Sequence, residues 1–310
     1  MLEKLYLDKR EILKKSQKFF KNSSSLILKI GCELEFFLFE ENSQKPCNQA
    51  ARDDFIAELQ IELPKKFPLI YQIEKEQGAS QIEVKTAFTS DLSRLCEELE
   101  GAKNFIKNLA AQKILTASFA AQPFIDDCGS ALQFNISLHE NDKNIFEFDE
   151  NILKNVAGNL LKMTNQMMIF LAPKKEDYIR FSYEINRNLF KKGKFTAPVN
   201  LSFGADNRTC AIRVPQVHQV SFQKNNKRLE YRIAAADADS FLIIAALLLV
   251  ISSDEKNYPK QIHGNAFDEK YEVAGFCMSL NEAKEFFEKE NFIKEKFLEF
   301  SSVCIQNKHN

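Results

Sequence analysis

Residues 31 to 39 read GCELEFFLF, a run interrupted by charge only at Glu33 and Glu35. The wider segment Leu26 to Phe39 is rich in leucine, isoleucine and phenylalanine and reads as a strand. Side chains two apart on a strand share a face, so both carboxylates lie on one side while Cys32, Leu34 and Phe36 lie on the other. Two acids in so apolar a setting are costly unless something pairs with them.

Upstream, Leu2, Leu5, Ile12, Leu13, Phe19 and Phe20 recur at roughly helical spacing and lead into the polar cluster Asn22 to Ser25. This predicts an amphipathic helix and linker over residues 1–25, followed by a main domain over 26–310. The first twenty residues have no unbroken apolar stretch and do not read as a secretory signal. Downstream, strands are predicted at 68–76, 80–88, 114–121, 131–138, 210–215 and 227–233. Helices are predicted at 51–61, 91–112, 151–171, 237–251 and 280–299. Strands fall in adjacent runs with helices interposed irregularly, which argues an α+β fold with an antiparallel sheet. Ser182 to Thr196, carrying Lys191, Lys192, Gly193 and Lys194, reads as a long loop.

The chain has 310 residues with 42 Lys+Arg against 43 Asp+Glu, a formal net charge of -1. No basic block stands apart from acidic neighbours, so neither nucleic acid nor an anionic membrane is an expected partner. The longest apolar run, Phe241 to Ile251, is too short to span a bilayer and reads as a buried helix. Seven scattered cysteines without CxxC spacing suggest neither a disulfide framework nor a zinc knuckle, and the expected compartment is a reducing cytoplasm.

Two sets of charges carry the chemistry. Glu33, Glu35, Glu76, Glu83 and Glu230 are acids on or beside predicted strands. Arg180, Arg208, Arg213, Arg228 and Arg232 form the cationic set. Carboxylates gather hard cations, and the guanidinium fork holds carboxylate or phosphate oxygens at two points, so together they suit a metal and phosphate site. Surface ion pairing is the plainer account of the same residues.

The order of motifs resembles the catalytic domain of the glutamine synthetase family. GCELEFFLF (31–39) is similar to its GxExEFFLF strand, EQGASQIE (76–83) to its ExxxxQxE segment, and FAAQPFIDDCGSALQFNISL (119–138) to its FxxKPxxxxxGSGxHxHxSL stretch. DYIRF (177–181) resembles SYxRL, APVNLSFGADNRTCAIRVP (197–215) resembles APxxxxxxxxNRxxxIRxP, and RLEYRIAAADADSF (228–241) resembles RxExRxxDxxxNPY. HGNAFD (263–268) and SLNEAKEFF (279–287) extend the likeness, which runs from Ile27 to Phe300.

The resemblance implies a curved antiparallel half-barrel sheet packed with helices. It implies ATP with Mg2+ or Mn2+ as cofactors, and an amino acid with ammonia or an amine as substrates. One ion falls to Glu35, Glu76 and Glu83, a second to Glu33 and Glu230 with Gln133 where the family has histidine. Arg208, Arg213 and Arg228 match the arginines on the nucleotide phosphates, while Arg180, Arg232 and Gly129 match the substrate-carboxylate side. Arg208 and Arg232 are the arginines expected to act in catalysis. In the family a side-chain carboxylate attacks the γ-phosphate, and an amine then displaces phosphate from the acyl phosphate.

Four departures accompany the match. The family histidines are Gln133 and Asn135, the lysine of KP is Gln122, and the flap glutamate before AP is Thr196, with Glu184 in the preceding segment as a conceivable replacement. Residues 1–25 read as helix and linker where the family has a small β-grasp domain that helps to build its ring, which leaves a homo-oligomer open and counts against the ring. The expected function is a diverged carboxylate–amine ligase, the alternative a non-catalytic nucleotide- or amino-acid-binding relative.

Overall fold

The computed structural model describes residues 8–41, 43, 45–216, 226–289 and 292–306. Helix α1 (Lys9–Ser23) leads into β1 (Ile27–Glu40), α2 (Gln49–Lys66), β2 (Ile70–Lys75), β3 (Gln81–Thr86), α3 (Leu92–Gln112) and β4 (Leu115–Ser118). Then come β5 (Leu132–Glu140), β6 (Lys143–Asn144), α4 (Glu150–Leu171), a 3-10 segment at Lys175–Phe181 and α5 (Tyr183–Lys191). The chain continues through β7 (Phe203–Ala205), β8 (Ile212–Val214), β9 (Leu229–Tyr231), α6 (Ser240–Ile251), α7 (Leu280–Lys289) and α8 (Phe292–Gln306).

Among the described residues the strands form one open, mainly antiparallel sheet in the order β2-β3-β1-β5-β9-β8-β7. β4 pairs with the far end of β1, and β6 with β5. β7 and β8 alone run parallel. The long β1 is the spine because its alternation satisfies both faces: Cys32, Leu34, Phe36 and Leu38 are buried in the apolar core, and Glu33 and Glu35 look the other way. The rings of Phe37 and Phe39, on the same side as the acids, are covered by Phe124 at 5.5 and 5.3 Å.

Helix α6 explains the apolar run: every residue from Ser240 to Val250 is buried. Each large aliphatic side chain so buried is worth about 1.5–3 kcal/mol over exposure. Asp239 caps the helix by accepting from the amides of Phe241 and Leu242 and holds Lys9 Nζ at 2.6 Å. Through Ile12, Leu13 and Phe20, α1 joins the same core as the sheet.

One local reading changes. Ser182 to Thr196 is not all loop: Ser182 Oγ caps α5, whose single buried turn is Asn186 and Leu189. The helix is short, nine residues, and the lysines and glycine that follow it gave the whole segment a loop-like composition. The predicted 280–299 helix is helical over α7 and α8 on either side of residues 290 and 291, which lie outside the described set. Residues 2–7 of the first predicted helix also lie outside it.

Candidate active site

Sheet register builds the site row by row on one face. In the first row Glu74 of β2 faces Glu83 of β3, which faces Glu35 of β1. In the second, Gln72, Lys85, Glu33 and Gln133 follow one another across β2, β3, β1 and β5. In the third, Asn135 of β5 faces Glu230 of β9, which faces Arg213 of β8. Glu76 follows β2 directly, fixed by its own amide donating to the Gln81 carbonyl at 3.0 Å.

These rows floor a cavity of about 320 Å³, and every residue expected from sequence lines it: Glu33, Glu35, Glu76, Glu83, Glu230, Gln133, Arg180, Arg208, Arg213, Arg228, Arg232 and Gly129. Thr196 lines it too, whereas Glu184 is exposed on the first turn of α5 and does not. Gln122 serves the loop beneath, donating to the carbonyls of Phe124 at 2.5 Å and Asp127 at 2.8 Å. Gly129 must lack a side chain, since a Cβ there meets Gln122 Oε1 at 2.7 Å and the Ala121 carbonyl at 2.8 Å.

The charges are largely matched within the protein. Glu230 accepts from Arg213 Nη1 at 2.8 Å and from Arg232, and Arg213 also binds Asp206. Arg232 Nη1 donates to Gln133 Oε1 at 3.0 Å, and Gln133 Nε2 in turn to Glu35 Oε1 at 2.6 Å. The Ala131 amide holds the other Glu35 oxygen at 2.9 Å. Asn135 links Glu33 at 3.0 Å to Arg228 at 2.8 Å. Arg180 spends its terminal nitrogens on the carbonyls of Ile233 and Arg232, at 2.8 and 3.0 Å.

Burial, with the charge of Glu76, pushes the Glu35 carboxyl up to about 7. Burial and the charges of Glu33 and Glu35 raise Glu83 despite Lys85, and burial raises Glu76. Glu230 goes the other way: burial acts to raise it, but Arg232 and Arg213 outweigh burial and hold it below the usual carboxylate range.

A short flap, residues 193–197, closes one side. Lys194 Nζ reaches Asp127 Oδ1 at 2.6 Å, Gln77 bonds the Gly193 carbonyl at 3.3 Å and accepts from the Phe195 amide, and Asn186 Oδ1 receives the Ala197 amide at 2.9 Å. Arg208 lies over the Phe195 ring, 4.5 Å from its centroid.

Sequence reasoning missed Lys85 and Glu74. Lys85 was within reach, two residues past Glu83 on the same strand face, but Glu74 becomes its partner only through the β2–β3 register. Lys85 Nζ sits 2.9 Å from Glu83 and 2.5 Å from Glu74. Among the described residues no group of three or more His, Cys, Asp or Glu is placed to hold one metal ion. The donor set expected of Glu35, Glu76 and Glu83 does not suit a divalent ion as it stands, because Glu83 is held by an ammonium and both Glu35 oxygens are bonded within the protein.

The open sheet carries carboxylates and arginines interleaved on one polar face, and the chain belongs to the family whose model, described as "Glutamine synthetase, catalytic domain", matches residues 6–307. Gamma-glutamylputrescine synthetase PuuA of Escherichia coli (strain K12) is 26% identical over 203 residues, covering 63% of this chain and 40% of its own length. Glutamine synthetase of Haemophilus influenzae is 32% identical over 181 residues, covering 55% and 34%. That of Pyrococcus horikoshii is 27% identical over 237 residues, covering 71% and 49%. The chain thus spans between a third and a half of the length of these relatives. A solved "GmaS/ADP complex" superposes with TM-score 0.75 at 20% identity, covering 97% of this chain and 74% of that one. Plasmodium falciparum glutamine synthetase gives 0.71 at 19%. At such identity these likenesses establish the fold. No helix among the described residues is long and apolar enough to cross a membrane.

Proposed function

We propose that the protein is an ATP-dependent carboxylate–amine ligase that forms a γ-glutamyl amide or a related amide through an acyl phosphate. The observation that carries this reading is the single cavity in which five arginines from separate segments face a floor of carboxylates. ATP, taken as its magnesium complex, is the phosphoryl donor. Arg208, Arg213 and Arg228 take its phosphates, whose charge they neutralise as it shifts during transfer. Arg180 and Arg232, beside Gly129, orient the amino-acid carboxylates. A substrate carboxylate oxygen attacks the γ-phosphorus and ADP leaves. The amine nitrogen then attacks the acyl carbon, phosphate leaves, and the amine's proton passes to a base.

That last step is the weak one here. Thr196 stands in the flap where a carboxylate would take the proton, and a hydroxyl cannot do so at neutral pH. Phosphoryl transfer is accordingly expected to outrun amide formation. A non-catalytic binding role is the second reading, and Thr196 is what favours it. Incubation with MgATP, glutamate and hydroxylamine separates the two. Trapped acyl hydroxamate with matching ADP release supports the ligase; nucleotide binding without either product leaves the binding protein.

A further inference from the structure

Lys85 projects from β3 onto the same face as Glu83 and stands opposite Glu33 in the β1–β3 register. Its ammonium is 2.9 Å from Glu83 Oε2 and 2.5 Å from Glu74 Oε1. Gln72 secures the second Glu74 oxygen at 2.8 Å, so the acid is aimed at the lysine. The site is only partly open, with 24% of the Lys85 side chain and 5% of that of Glu83 exposed.

A divalent ion bound by Glu83 at Mg–O distances of about 2.0–2.1 Å would bring its two charges to within contact range of the ammonium that already holds Glu83 Oε2. Ammonium and ion cannot both sit there, because like charges in a partly desolvated site repel strongly. Lysine is tethered two residues from Glu83, so it is always present, whereas an ion must be captured from solution. The balance of the whole wall agrees: six carboxylates line the cavity against six lysine and arginine side chains, leaving no excess negative charge for an added ion to neutralise.

We propose that Lys85 is a built-in cation, its ammonium standing in the charge-balancing place of a protein-bound divalent ion beside Glu83. This half of the cavity is therefore complete without one. The inference concerns the resting protein and does not depend on the ligase reading.

The test is Mn2+ binding to the chelator-treated full chain, read as the loss of the free-ion electron paramagnetic resonance signal, with no nucleotide present. For the native protein, Glu83→Gln is expected to leave the isotherm unchanged. Lys85→Met is expected to gain a site tighter by about 100-fold or more, the effect of removing a like charge at contact range. Adding Glu83→Gln to that variant should abolish the gained site. A native Mn2+ site that Glu83→Gln weakens tenfold or more overturns the proposal, as does a folded Lys85→Met protein without gain. Should Lys85→Met fail to fold, the comparison of native and Glu83→Gln proteins decides alone. Because ion binding requires no turnover, failure here and failure of hydroxamate formation are separate results.

Discussion

Replacing Glu230 with glutamine removes one charge from the most tightly paired part of the cavity and leaves the shape nearly intact. The carboxylate side chain is 3% exposed and lies between Arg213 Nη1 at 2.8 Å and Arg232, whose own side chain is 7% exposed. Deleting one partner of a buried pair typically costs about 3–5 kcal/mol, because the remaining charge stays desolvated and unmatched. Glutamine keeps one acceptor and Arg213 keeps Asp206, which places the expected loss near the lower end, about 2–4 kcal/mol. Urea unfolding near neutral pH should show a lower midpoint with an unchanged slope. A double-mutant cycle with Arg232→Met should show that the two losses do not add. The sign with pH follows from the depressed Glu230 carboxyl. Its contribution is fully present above its unfolded value near 4.5 and is lost as pH falls through the lower folded value, so native and variant proteins converge in acid. A loss under about 1 kcal/mol, or strict additivity, would mean that solvent reaches Glu230 and the pairing argument is wrong.

Glu35, raised to about 7, behaves in the opposite sense. It holds its proton longer in the folded state, so its contribution is present below pH 4.5 and lost as pH rises to about 7, a slope that should disappear from unfolding curves of Glu35→Gln. Gly129→Ala should lower stability by about 1–3 kcal/mol in denaturant titrations, since its Cβ meets the Ala121 carbonyl, which cannot swing away; a neutral result means the loop gives more readily than its bonds suggest. On the ligase reading, Thr196→Glu should raise the rate of amide formation by about 100-fold or more over the native rate and leave ADP release comparatively unchanged, as quenched-flow product analysis would resolve.

How far the site could be read from sequence depends on which relationships are local. Glu33 and Glu35 announce a shared face because strand alternation is a two-residue property. The order of motifs carried Glu76, Glu83, Glu230 and the arginines to one cavity, a result that no spacing within any single segment could give. Lys85 was overlooked because its meaning rests on Glu74, which is brought opposite Glu83 by a β2–β3 pairing whose register shifts between Ile70 and Gln72. A shift of that kind reverses faces and leaves no mark in composition. Helix α5 was hidden because it is only nine residues long and runs out through Lys191 into Lys192, Gly193 and Lys194, which drew the whole segment into a loop reading. Strand β8 fell within the predicted 210–215 strand, whereas its parallel partner β7, three residues long at Phe203–Ala205, went unpredicted.

The same residue types can hold a cation, an anion or one another, and the arrangement decides which. Arg213 and Arg232 are committed to Glu230, Arg180 to two carbonyls, and Arg228 is steadied by Asn135. Among the described residues Arg208 has no carboxylate at hydrogen-bond distance, and it rests on the Phe195 ring of the flap. An anion entering the cavity therefore finds Arg208 available at once but has to compete with Glu230 for Arg213. Stacking on an exposed ring is worth only about 0.5–1 kcal/mol, less than a charge-assisted bond to phosphate. Drawing Arg208 inward thus costs little locally, and the segment that carries Thr196 keeps its bonds from Lys194 to Asp127 and from the Ala197 amide to Asn186.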